Sequence, residues 1–356
     1  MTATATLPWL RERAGWAALA GGGAGLLLFA WSLLAPTPGP ILAGWLVGVL
    51  FWMAIALGAF AWLATHALTG GQWGVTLWPA LAPATATLPL FALLLLPLAL
   101  QLGDVYPWVG AGSDRPEVAR LWLNETGFIA RGLVAVIGWS VLGLLLVQAG
   151  PRPRPVIGII ALLFHGVIIT GISLDWILSI EPHFPSTAFP ADIAVHQLLA
   201  ALAWTAVIRV APPGGRGRAG DLGALMLACV LGAAYLGFAQ YLVIWYGNLP
   251  ERITWYLERQ NTLWWLVDAV AIALMAVLPF LALIVTAVRN HPGRLALVGA
   301  CVLAGEALNL AWMVCPPFGA LSLPAALLGI IVVGGLWVAL GFGLFAPRLM
   351  GQARHA

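Results

Sequence analysis

Residues 155–180 read PVIGIIALLFHGVIITGISLDWILSI. The stretch carries no lysine or arginine and is apolar almost throughout. A helix rising ~1.5 Å per residue needs ~20 apolar residues to cross a hydrocarbon core of ~30 Å. Lipid offers no partner to a free N–H or C=O, so such a run is a helix or part of a closed barrel. This one is too long and too evenly apolar to be an alternating barrel strand. It reads as a transmembrane helix, and the chain repeats the pattern.

Ten such spans are expected, near residues 15–35, 41–66, 74–102, 127–149, 155–180, 188–210, 220–246, 262–289, 294–315 and 324–346. The sequence of 356 residues is 62% hydrophobic and 8% charged. No loop is long enough to bury a core of its own, so the fold class is an all-α integral membrane protein forming a single polytopic domain over residues 1–356. The first span, GWAALAGGGAGLLLFAWSLLA, is long and the second follows at once, which is not the pattern of a cleaved signal.

Orientation comes from arginine, because the sequence has no lysine. With ten spans both termini share a side, and that side carries eleven of the sixteen basic residues. The positive-inside rule places it in the cytoplasm. The net charge of +3 is then an orientation signal and implies no nucleic-acid partner. Cys229, Cys301 and Cys315 are scattered through apolar segments without a CxxC spacing and read as small buried hydrophobes. The run GGGAG lies inside a span and reads as packing, as do Gly21 with Gly25 and Gly335, Ala339 and Gly343. The NET sequon at Asn124 matters only in a secretory pathway.

Cytoplasmic connections such as GPRPRP and APPGGRGRAG are short tethers. The outer connections are longer. One of them, WYGNLPERITWYLERQNTLWW, gathers aromatic rings of the kind that sit at headgroup level. Its segment ERITWYLERQ reads as a short amphipathic helix lying along the surface, or as a docking surface for a partner subunit. Another, the stretch from Gly171 to Gln197, gathers Asp175, Glu181, His183, Asp192 and His196 at the outer ends of spans five and six.

A charge near the bilayer centre costs ~3 kcal/mol on insertion scales. The ionisable residues within the spans are therefore the candidate site. Depth estimates at ~1.5 Å per residue put Asp175 and Asp192 ~6–7 Å below the outer end, His196 ~12 Å and His165 ~22 Å. Arg131 and Asp268 lie ~6–9 Å down, Glu306 near the middle, and Gln240 at a depth similar to Asp268. Asp192 and His196 are four apart and share a helix face.

Three readings stand. In the first, Arg131 is the structural counter-ion of Asp175 or Asp192, with the histidines satisfied by backbone carbonyls. The set is otherwise a proton half-channel leading from the outer surface toward Glu306, since histidine titrates near neutrality. The third is a cofactor site. Haem shared by His165 and His196 is disfavoured by their ~10 Å difference in depth, whereas His165 beside Phe164 suits a quinone slot.

Two outer stretches together resemble a known family. SLDWILSIEPHFPST (Ser173–Thr187) and FAQYLVIWYGNLPERITWYLER (Phe238–Arg259) are similar to signatures of the ActF-type membrane subunit of alternative complex III. The resemblance runs roughly from span two to span nine. The motif residues are Asp175, Glu181, His183, Gln240, Asn248 and Glu251. It implies NrfD-like paired four-helix bundles in a bacterial inner membrane and a quinol:cytochrome c oxidoreductase assembly. It also implies a supporting role in assembly and proton transfer rather than catalysis. Partners would be an NrfD-like quinol-binding subunit, a multihaem or other c-type cytochrome, and phospholipid. Haem and iron–sulfur clusters would reside in those partners, with no cofactor in this chain beyond a possible quinone. The family continues after EPHFPST with an uncharged aromatic helix, where this chain has Pro190, Asp192 and His196. That departure keeps two alternatives in play: an accessory subunit of a haem–copper oxidase, and a stand-alone proton-coupled transporter.

Overall fold

The computed structural model describes residues 7–34, 37–111, 117, 121–152, 154–181, 186–208, 217–260 and 262–345. Among these residues there is helix and no strand. The long helices are α1 (Leu7–Leu34), α2 (Gly39–Thr69), α3 (Gln72–Ala86), α4 (Glu125–Ala149), α5 (Pro155–Trp176), α6 (Phe189–Val207) and α7 (Gly217–Gly247). They are followed by α8 (Pro250–Gln260), α9 (Leu263–Ile272), α10 (Pro292–Val314) and α11 (Ser322–Leu336). Helix α9 continues through a π-helical stretch, Ala273–Val277, into Leu278–Ile284, and α11 continues as a π-helix over Trp337–Phe345.

Eight of these helices are long and apolar enough to cross a membrane. The expected span over 74–102 is broken: α3 ends at Ala86, and the chain resumes as helix over Leu90–Leu94 and Leu96–Leu100, bent by 44°. Pro89 and Pro97 account for the interruption, since each lacks an N–H and its ring crowds the preceding turn. In α1 the apolar stretch, Gly15–Leu28, is shorter than those of the eight.

Local sequence explains most boundaries. A proline stands in the first turn of α2, α5, α6 and α10, where its missing N–H costs nothing. The sequon residue Asn124 is the N-cap of α4, its Oδ1 accepting the Gly127 N–H at 2.7 Å. Asn248 closes α7 at φ +42°, a left-handed conformation that asparagine tolerates, and Pro250 then opens α8. The GNLPE motif is thus a stop-and-restart between two helices.

Helix α2 is the hub, packing against α3, α5, α6 and α11. Helices α2, α3, α4 and α5 contact one another as one group, and α6, α7, α9 and α10 as a second; α2 and α6 join them. Helix α11 lies on α2, and α1 on α11, where Gly21 meets Gly335 backbone to backbone. Where the groups and α11 converge, Trp52, Trp204, Trp337 and Phe342 form a ring cluster. Trp52 Nε1 donates to the Ile330 carbonyl at 2.8 Å and Trp337 Nε1 to Thr87 Oγ1 at 2.7 Å, satisfying two of its indoles. The outward faces of α4, α5 and α7 carry exposed Val141, Leu163, Val167 and Leu231, as a lipid-facing surface should.

The α2–α6 joint depends on Gly58, where a Cβ would lie 1.8 Å from the Gln197 carbonyl oxygen. Backbone cannot yield as a side chain can. Gly58→Val is expected to lower stability by about 3 kcal/mol, measured as the loss of a folded gel-filtration peak on heating in mild detergent. Unchanged thermal stability would show that the two groups are not held by this contact.

Candidate functional site

The second helix group encloses a cavity of about 400 Å³. Asp192 and His196 reach it from α6, Gln240 from α7, Asp268 from α9 and Asn309 from α10. Its walls are otherwise aromatic and apolar, with Phe189, Tyr241, Trp255, Tyr256 and Trp312, and with Met275, Ala276 and Val277 of the π-helical stretch. Phe238, Ile272 and Val277, also on the wall, are exposed on the molecule's flank, so the cavity is reached sideways between α7 and α9.

His196 is the centre of the polar cluster. Its Nδ1 lies 2.9 and 3.0 Å from the two carboxylate oxygens of Glu306, across the α6–α10 interface. Its Nε2 faces Asp192 Oδ1 at 3.6 Å, beyond hydrogen-bond distance but within an ion-pair contact. That oxygen has no hydrogen-bond partner. All three side chains are buried. Asp192 sits in the first turn of α6, where the helix dipole favours negative charge. An imidazole between two carboxylates can take a proton at one nitrogen and give one up at the other. Gly305, beside Glu306, lets α10 approach the π-helical stretch: a Cβ there would lie 2.6 Å from Met275 N.

Asp175 belongs elsewhere. Its fully buried carboxylate receives Arg131 Nε at 2.6 Å and a second guanidinium nitrogen at 3.0 Å. That guanidinium also donates to the Trp122 carbonyl at 2.8 Å and lies 4.3 Å from the Trp122 ring. Ser179 Oγ donates to the Asp175 carbonyl. Nearby, Tyr106 donates to the Trp176 carbonyl at 3.3 Å, and burial, then the Asp175 charge, hold its phenol well above the ordinary value. This pair ties α4 to α5 in the first helix group and does not touch the cavity.

His165 is also in the first group, buried between the rings of Phe60 at 5.8 Å and Trp139 at 6.0 Å, with Nδ1 unpartnered. Phe164 packs over Gly138 of α4. The residues expected to descend as one ladder therefore fall into separate places: Arg131 with Asp175, His165 between two rings, Asp192, His196 and Asp268 on the cavity wall, and Glu306 behind His196.

The two motif stretches meet in space. Ser186 Oγ donates to Gln240 Oε1 at 2.6 Å. Arg259 donates to both carboxylate oxygens of Glu181, to the Trp255 carbonyl at 2.7 Å and to the Trp312 carbonyl at 3.3 Å. Its guanidinium lies 3.7 Å from the Trp255 ring and 5.3 Å from the Trp312 ring. Burial raises the Glu181 carboxyl above its ordinary value, with Arg259 opposing and Glu258 adding to the rise. His183 and the Glu251 side chain lie outside the described residues. Arg259 itself was not among the expected site residues. Its signal was present, since it follows Trp255 by four and so shares that ring's helix face. Among the described residues no three His, Cys, Asp or Glu side chains converge as a metal shell. The three cysteines are free. No family model matches the chain, and no curated protein matches it.

Proposed function

We propose that the chain is the ActF-type membrane subunit of an alternative complex III-like quinol oxidoreductase in a bacterial inner membrane. In this reading it has ten spans, counting α1 and the bent α3 segment, both termini are cytoplasmic, and the two helix groups are NrfD-like four-helix bundles. Its own part is assembly and proton transfer: protons enter near α8, pass Asp192 and His196, and reach Glu306. The observation that carries the reading is His196 held between Asp192 and Glu306 beside a cavity of about 400 Å³. The contact between the two motif stretches, through Glu181–Arg259 and Ser186–Gln240, supports the family assignment. Haem and iron–sulfur centres belong to partner subunits, among them an NrfD-like protein and a c-type cytochrome.

A second reading of the cavity, that it seats a quinone head rather than water alone, is favoured by its aromatic walls and its opening onto the lipid-facing flank.

Purification of tagged protein in mild detergent tests the assignment. The expected result is co-purification of a multihaem cytochrome, an iron–sulfur subunit and an NrfD-like protein, with a c-type band in the reduced-minus-oxidised spectrum. Oxidase subunits with haem a or b bands would place the chain in a haem–copper oxidase instead. A colourless solitary protein would leave the proton-coupled transporter.

A further inference from the structure

The amphipathic helix α8 has a second role beyond marking the membrane interface. Its Trp255 and Tyr256 form part of the cavity wall. One end is joined to α7 through Asn248, held at φ +42°, and the other runs to Thr262, which caps α9. Between these joints, among the described residues, α8 is held by the buried Trp255 and by one buried charged side chain. Arg259 is only 2% exposed and ties α8 to Glu181, beyond α5, and to the Trp312 carbonyl of α10.

We infer that α8 is a hinged lid over the cavity, latched by the Arg259–Glu181 pair, and that release of this pair opens Asp192, His196 and Asp268 to water. The lid applies whether the cavity carries protons alone or also seats a quinone, and it does not depend on the identity of the host complex.

The latch is built to respond to charge. A buried guanidinium that loses its carboxylate is left uncompensated and is driven toward water. Moving Arg259 outward carries the C-terminal turn of α8 with it, and Trp255 leaves the wall. Among the described residues the charged groups around the latch are few. Glu181 faces Arg259 and Glu258 of α8, Asp268 of α9 lies within electrostatic reach of Arg259, and α10 presents the Trp312 ring and carbonyl. Burial already favours the neutral form of Glu181. Acid therefore removes the negative partner as the pH falls through the raised value. The latch is strongest above that pH and weakens below it.

The test places one cysteine on the cavity wall, Ala276→Cys, with Cys229, Cys301 and Cys315 replaced by alanine, in protein reconstituted into liposomes. A charged, water-soluble maleimide reports access, each rate being divided by that of free cysteine at the same pH. Labelling is expected to be slow with the native latch, and about tenfold or more faster in Glu181→Gln and in Arg259→Met. Acidification should speed labelling of the native-latch protein and have no further effect in Glu181→Gln. A reporter at the fully buried Ala56, as Ala56→Cys, separates opening from unfolding and should stay unlabelled throughout. Equal rates with and without the latch would overturn the inference, as would an unchanged acid response in Glu181→Gln or a parallel gain at Ala56→Cys. The readout needs neither turnover nor partner subunits, so a negative result leaves the proton reading standing. Loss of the proton reading likewise leaves the lid.

Discussion

Arg131→Leu is expected to cost about 3–5 kcal/mol, enough to abolish accumulation of folded protein in the membrane. Asp175 is fully buried and its two oxygens depend on the Arg131 guanidinium at 2.6 and 3.0 Å. Removing the arginine leaves a carboxyl in an apolar bundle with no cation to offset its desolvation. The double replacement Arg131→Met with Asp175→Leu should recover most of the loss, because a buried pair replaced by packed apolar groups is often neutral. Thermal unfolding in detergent, followed for the single and double variants, measures both effects. A mild single variant would show that Asp175 is neutral or hydrated in the native protein and that the pair is not the clasp between α4 and α5. This outcome also bears on function. Turnover lost in Asp175→Asn would reflect the clasp as readily as a proton path, so that variant is a poor probe of conduction.

Glu306→Gln is the better probe, and a loss of about a hundredfold in proton transfer is expected from it. Glutamine keeps the shape of the side chain and an amide oxygen for His196 Nδ1, which Glu306 now holds at 2.9 and 3.0 Å. It cannot exchange a proton. Assembly and thermal stability should therefore change little while proton uptake by the reconstituted host complex falls. Glu306→Asp should retain part of the activity, since the carboxylate remains with a shorter reach. Full coupling in Glu306→Gln would remove Glu306 from the path and reduce the His196 cluster to packing.

Much of the fold was readable because hydrocarbon imposes length. The runs over 127–149, 155–180 and 188–210 coincide closely with α4, α5 and α6, whose ends are written in Asn124, Pro155 and Pro190. The break in the third run was also signalled, by Pro89 and Pro97, but a run of leucines masks a bend in any hydropathy reading. Side-chain partners were less accessible. Depth along a helix follows from residue number, whereas the direction a residue faces depends on which helices are neighbours. His196 and Glu306 were expected at different depths of one half-channel, and the contact of α6 with α10 makes them direct partners. Arg131 had two acidic candidates at similar depth, and the α4–α5 contact selects Asp175. Arg259 read as an interfacial charge because its helix is polar on average, and a mean conceals a charged residue that points inward beside Trp255.

The π-helical stretch of α9 adds a consequence of a different kind. A π-helical turn holds one residue more than an α-helical turn. Ala273–Val277 therefore carries a surplus residue whose removal restores a regular helix and swings the preceding turns by about 100°. Asp268 would then leave the cavity, although every ionisable residue of the sequence remained. The polar character of this wall is thus encoded in chain length as well as in residue identity. Among related sequences, a one-residue gap at this point would change the site more than most substitutions, and an ungapped alignment would hide it.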